Sequence, residues 1–308
     1  MITTIIILFL LYSYKSHNKK LIQEERLNIP PGEIYEVDGK KLHVFSKGSG
    51  KFTFVFLAGH GTSSPTLDFK PLWQKLSKKN RVIVIERSGY GWSEISNNDR
   101  DLKSILDETR NILELSGEKP PYILIPHSMS GLEALYWVQN YTKEVSAVIG
   151  IDPLIPQAIK LLPKPNKVQL LITYLSAKLG LTRFMPEDDF AKSFPIIKSN
   201  CLTDEEKAKY IANFYKKAFT RDMFNELKYL NENSNKVSIK KLIDKRIPLL
   251  FFISKEQEEV APGWTTALEE FLSNIPKTRS IVLDSTHYIH HDKSEKMHSE
   301  INDFMQSM

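Results

Sequence analysis

The stretch Tyr122–Gly131 constrains the chain more than any other, and it reads Tyr-Ile-Leu-Ile-Pro-His-Ser-Met-Ser-Gly. An apolar, β-branched run stops at Pro126, and apolar residues then recur at helical spacing through Met129, Leu132, Leu135 and Val138. A buried strand that passes straight into a helix leaves one side chain standing clear at the corner, here Ser128. Strand and helix approach closely at such a corner, so small residues are wanted two positions to either side. Ser130 meets that need and Pro126 departs from it. Proline is tolerable there as the last strand residue, where a ladder donor is least missed. A serine in an ordinary strand–helix turn would carry the same local pattern, so the remaining chain has to decide.

Around this corner the chain alternates strand and helix patterns. Glu33–Val37 and Lys41–Phe45 flank Asp38-Gly39, a two-residue hairpin signal. Phe52–Leu57 and Arg81–Ile85 are short continuous apolar runs, as expected of strands buried on both faces. Leu67–Lys78 and Leu102–Leu115 have helical spacing, the second closed by Gly117. Val145–Ile151 is a further strand, ending at Asp152-Pro153. From Pro156 to about Lys245 the pattern is helical throughout, with segments at Lys167–Leu179, Glu187–Lys192 and Asp204–Leu230. Strands return at Pro248–Ile253 and Ser280–Leu283, and Ser294–Met305 closes the chain as a helix. Such alternation implies a mostly parallel sheet covered by helices on both faces, with a helical insertion between two of its strands.

A serine hydroxyl needs an oriented base to act as a nucleophile, normally histidine. Of the eight histidines, His287 follows the last strand in Thr286-His287-Tyr288-Ile289-His290. Loops at the carboxyl ends of strands are where open α/β sheets present ligand-binding groups. His287 is therefore the best base, with His290 one turn further on in reserve. Acyl transfer also needs two backbone donors for the oxyanion. Met129 N–H, just after the serine, is one. His60 N–H is the other, in Ala58-Gly59-His60-Gly61-Thr62, where the glycines admit close backbone approach. A plain glycine-rich turn would look the same.

These pieces together resemble the α/β-hydrolase superfamily, and most the anchored lipase/esterase-like serine hydrolases of Gram-positive bacteria. The resemblance is carried by Leu57-Ala58-Gly59-His60-Gly61-Thr62, Gly89-Tyr90-Gly91-Trp92-Ser93, Pro126-His127-Ser128-Met129-Ser130-Gly131 and Thr286-His287-Tyr288-Ile289-His290, in the family's order. It implies Ser128 as nucleophile, His287 as base and a helical cap over about 156–245. Relatives that dehalogenate or open epoxides use aspartate at the elbow, so a serine argues against those reactions. The acid is where the chain departs from the pattern. Ser254-Lys255-Glu256-Gln257-Glu258-Glu259 offers no aspartate, whereas Asp152 fills the family's other position, after the preceding strand. Asp152 ahead of Pro153 also fits an Asx turn, and Glu256 or Glu258 remains the alternative acid.

Outside that match, Ile2–Tyr14 is apolar and is followed by Lys15, His17, Lys19 and Lys20. The run is short of the ~20 apolar residues of a bilayer span. The expectation is nonetheless an N-terminal anchor over 1–25, ahead of a hydrolase domain at 26–308. The protein would then be membrane-associated, with its catalytic domain on the cytoplasmic side. The net charge of +5 against 42 Lys+Arg and 37 Asp+Glu gives nucleic-acid binding no support. Cys201 is the only cysteine, which excludes an internal disulfide and a cysteine-based zinc site. No cofactor and no metal are expected. The expected partner is a small-molecule ester, possible lipophilicity being suggested by Leu170, Leu171, Tyr174 and Leu175. A thioester, an amide or a peptide N-terminus would suit the same machinery, with Glu187, Asp188 and Asp189 as grips for an amine. A non-catalytic module on this fold is the alternative from a different class.

Overall fold

The computed structural model describes residues 1–163, 166–245 and 247–308. Eight strands form one sheet: β1 (Glu33–Val37), β2 (Lys40–Lys47), β3 (Thr53–Leu57), β4 (Arg81–Glu86), β5 (Tyr122–Pro126), β6 (Val145–Ile151), β7 (Leu249–Ser254) and β8 (Thr278–Leu283). Their order is β1-β2-β4-β3-β5-β6-β7-β8. β1, β2 and β4 pair antiparallel, and every pairing from β4 through β8 is parallel. The Asp38-Gly39 turn joins β1 to β2 with both residues at positive φ, as a two-residue hairpin requires.

Strand residues alternate between two apolar layers, which is the period-two rule at work. Val55, Leu57, Ile83, Ile85 and Leu124 pack into one layer. Phe54, Phe56, Val82, Val84, Ile123 and Ile125 pack into the other. The helices are α1 (Ile2–Glu24), α2 (Pro65–Asp68), α3 (Lys70–Leu76), α4 (Leu102–Leu115), α5 (Ser130–Asn140), α6 (Lys167–Lys178), α7 (Glu187–Ser193) and α8 (Asp204–Lys217). After these come α9 (Arg221–Lys236), α10 (Ile239–Lys245), α11 (Lys255–Val260), α12 (Trp264–Ser273), α13 (Ile289–Asp292) and α14 (Ser294–Gln306). β3 is followed by β4 on one side and by β5 on the other. The loops leaving β3 and β5 therefore diverge at one end of the sheet, the usual place for a ligand crevice.

Helices α6–α10 lie between β6 and β7 in the chain and make up the expected insertion, within which 164 and 165 fall outside the described residues. The single helix expected over Asp204–Leu230 is two. Thr220 breaks it by capping α9, its hydroxyl accepting from Met223 N–H at 3.2 Å. A threonine that satisfies a backbone donor this way starts a helix more readily than it continues one. The charged stretch from Lys255 is the short helix α11, capped by Ser254.

The anchor reading is corrected. Among the described residues no helix is long and apolar enough to cross a membrane. The apolar run ends near Tyr14, about 20 Å of helix against a hydrocarbon core of about 30 Å. The helix continues through polar residues to Glu24 and packs on the insertion. Ser13 Oγ donates to Leu179 O at 2.7 Å. Arg183 reaches His17 Nδ1 at 2.9 Å and both Glu24 oxygens at 2.8 and 2.6 Å. Gly180 sits there at φ +73°, where a Cβ would lie 2.4 Å from His17 Cβ. The membrane-associated location with a cytoplasmic catalytic domain falls with the span it rested on.

Candidate active site

β5 runs into α5 through His127, Ser128 and Met129. Ser128 takes φ +53°, a left-handed conformation that non-glycine residues adopt only where surrounding bonds enforce it. Those bonds are present. Ser128 N–H donates to Ile151 O at 3.0 Å, and Ser128 O accepts from Leu154 N–H at 2.7 Å. Ser130 is buried, with its hydroxyl donating to Leu57 O (2.7 Å) or His127 O (2.8 Å). The tightest backbone approach falls one residue later, since a Cβ on Gly131 would lie 2.5 Å from Leu154 O. Pro126 is the last residue of β5, as the local chemistry requires.

The loop after β3 closes on this corner. A Cβ on Gly59 would lie 3.0 Å from Ser128 Cβ and 2.9 Å from His127 Nδ1, so only glycine fits. Neither His60 N–H nor Met129 N–H donates to a protein acceptor among the described residues. Both expected oxyanion donors are thus free, and Gly59 brings their loops together.

His287 lies after β8, and its Nδ1 is 3.1 Å from Asp152 Oδ2. Asp152 is wholly buried at φ +43° at the end of β6. Its other oxygen accepts from Ser254 N–H at 2.9 Å, and Ser254 Oγ donates to Oδ2. The serine that begins the aspartate-free stretch therefore supports the aspartate from the neighbouring strand. Glu256 instead accepts the backbone N–H of His287 at 2.7 Å. Glu258 accepts from Gly263 and Thr265 N–H at 2.7 and 2.8 Å. Of the three candidate acids only Asp152 meets the imidazole. His127 Nε2 lies 3.1 Å from His287 O, so the backbone of His287 is held at both its N–H and its C=O. Burial first, then His287 and His290, drives the His127 pKa well down, which keeps that ring neutral.

The site also contains groups that patterning did not single out. Glu226 descends from α9, fully buried, and its Oε2 lies 3.4 Å from His60 Nδ1. Burial works against its charge, but Arg87 above all, then His60 and Arg100, hold its pKa at about 2. Arg87 donates to Glu133 at 2.9 Å and to Ala58 O at 3.0 Å, tying the same network to the loop after β3. A legible signal existed in Glu86-Arg87, two charges directly ending a buried apolar strand. Glu226 had none, since it is one acidic residue among many on the insertion.

The model of the α/β hydrolase fold family matches residues 53–294. The chain belongs to the α/β hydrolase family. It is 41% identical over 236 residues to the uncharacterized protein YbdG of Bacillus subtilis (strain 168), covering 76% of this chain and 72% of that one. An esterase from Exiguobacterium antarcticum superposes with a TM-score of 0.65 at 20% identity, over 89% of this chain and 99% of the other. An epoxide hydrolase from Vigna radiata gives a TM-score of 0.65 at 18% identity, over 90% and 97%. At these identities the solved structures speak for the fold, and they span more than one hydrolytic chemistry.

Proposed function

We propose that this hydrolase is a lipase/esterase-like serine enzyme that cleaves carboxylic esters through an acyl-enzyme. The observation that carries the reading is the 3.1 Å contact of His287 Nδ1 with buried Asp152, on loops beside an elbow whose apex is Ser128. With Nδ1–H donating to Asp152, Nε2 is the nitrogen left to take the Ser128 proton. Ser128 Oγ then adds to the ester carbonyl carbon, and the oxyanion is met by His60 and Met129 N–H. Collapse expels the alkoxide, which takes the proton from His287. Water, deprotonated by the same nitrogen, repeats the sequence on the acyl-serine and frees the acid. Serine at the elbow also separates this reading from epoxide hydrolysis and dehalogenation, which in relatives use aspartate there.

Ser128→Ala should keep the fold and lower turnover of an aryl ester by several orders of magnitude, as loss of a triad nucleophile does. Activity near wild type would remove the assignment. Thioester or amide cleavage would use the same groups, and rates on an ester, a thioester and an amide of one acyl group distinguish them, while esters of graded chain length address substrate identity.

A further inference from the structure

Behind the base lies a cluster that the proposed chemistry leaves unused. Asp68 ends α2, His290 and His291 lie on α13, and Tyr210 comes from α8 of the insertion. The Asp68 carboxylate is fully buried. His290 Nε2 is 3.0 Å from its Oδ2, and His291 Nε2 is 3.2 Å from its Oδ1. The Tyr210 hydroxyl donates to Oδ1 at 3.4 Å. No lysine or arginine pairs with this carboxylate among the described residues. Burial would raise the Asp68 pKa, but His291 and His290 outweigh it and hold the group ionised. Burial also pushes His290 down to about 4, so that ring is neutral.

An ionised carboxylate only accepts, so both imidazoles carry their proton on Nε2. The Nδ1 atoms of both rings are buried without a partner. For the neutral His290 ring that suits a bare lone pair far better than an orphaned N–H. The same point decides between a hydrogen-bonded cluster and a metal site. A metal on the Nε2 atoms would move each proton to Nδ1, where metal-bound histidines ordinarily have an acceptor and these have none.

The consequence lies three residues upstream. α13 is a single turn, too short to hold its place alone. His290 packs edge-on against His127 with ring centroids 5.2 Å apart, and His127 is the residue whose Nε2 meets His287 O. We propose that Asp68 is a positioning residue for His287: by gripping His290 and His291 it fixes α13, and with it the placement of the base. This rests on His287 being the base.

The test is a double-mutant cycle in the full-length protein, following hydrolysis of an aryl ester. Asp68→Asn cannot accept from both imidazoles and the tyrosine. It should lower kcat between about tenfold and 10²-fold, the scale of a misplaced catalytic group, with KM within about threefold. Added to His287→Ala it should cost nothing further, because the group it serves is gone. A merely structural role would repeat the loss in that background, and that result overturns the proposal. So does wild-type kcat in Asp68→Asn while Ser128→Ala is inactive. An active Ser128→Ala would instead bring down the underlying assignment. Should Asp68→Asn not fold, His290→Gln keeps an N–H donor and His290→Leu does not. The glutamine variant should retain at least about tenfold more activity, the worth of a charge-assisted hydrogen bond, and equal activities contradict the idea. A stoichiometric transition metal found by mass spectrometry in wild type, and lost in Asp68→Asn, would make Asp68 a ligand and overturn it as well.

Discussion

At the level of single residues, the acid separates the candidates most sharply. Asp152 and Glu256 both touch His287, but at different atoms: the aspartate at the ring nitrogen, the glutamate at the backbone N–H. Asp152→Asn should therefore cost ~10⁴ in turnover with the fold intact, because the imidazole loses the charge that sets its tautomer. Glu256→Gln still offers an oxygen to the His287 N–H and should cost less than about tenfold. Steady-state rates on one ester check both, and a dead Glu256→Gln beside an active Asp152→Asn would move the acid to α11. Ser128, His287 and Asp152 could be singled out in the sequence because each lies within a few residues of the end of an apolar strand run, where side chains stand at the sheet's carboxyl edge. His290, the reserve base, is completely buried and committed to Asp68, which no spacing could reveal. Its partner stands 222 residues away.

At the level of elements, the central strands could be read directly, since burial on both faces gives continuous apolar runs, whereas the helix expected over Leu67–Lys78 is two, Pro65–Asp68 and Lys70–Leu76. The insertion could be recognised as helical but not divided correctly, because the break at Thr220 is made by a hydroxyl choosing a backbone donor. The N-terminal segment failed for a tertiary reason. Arg183 holds its polar second half at His17 and Glu24, and Leu179 O accepts from Ser13 nearer the start, Arg183 and Leu179 both being residues of the insertion. Deleting residues 1–24 should destabilise the α6 region by roughly 1–3 kcal/mol, the scale of buried charge-assisted hydrogen bonds. Hydrogen exchange across α6 and Leu179–Arg183 should speed up accordingly. Unchanged protection there would show that α1 does not brace the insertion.

For the whole molecule, buried neutral imidazoles tie stability to pH. Burial lowers the His290 pKa from 6.5 to about 4, and His127 is lowered in the same direction for the same reason. In the unfolded chain these rings take up protons below about pH 6.5, whereas the folded rings do not. Their contribution is thus complete above pH 6.5 and is lost as pH falls toward 4. For His290 the loss is about tenfold in the folding equilibrium per pH unit across that window. Thermal midpoints measured between pH 7 and 4.5 should decline, and a flat profile would contradict neutral burial. The central claim, however, is that Ser128 is an activated nucleophile, and intact-mass analysis after exposure to a fluorophosphonate probe tests it most directly. The expected result is one adduct per chain, mapped to Ser128 and absent from Ser128→Ala. A folded wild-type protein that forms no adduct, or an adduct that persists in Ser128→Ala, would contradict it.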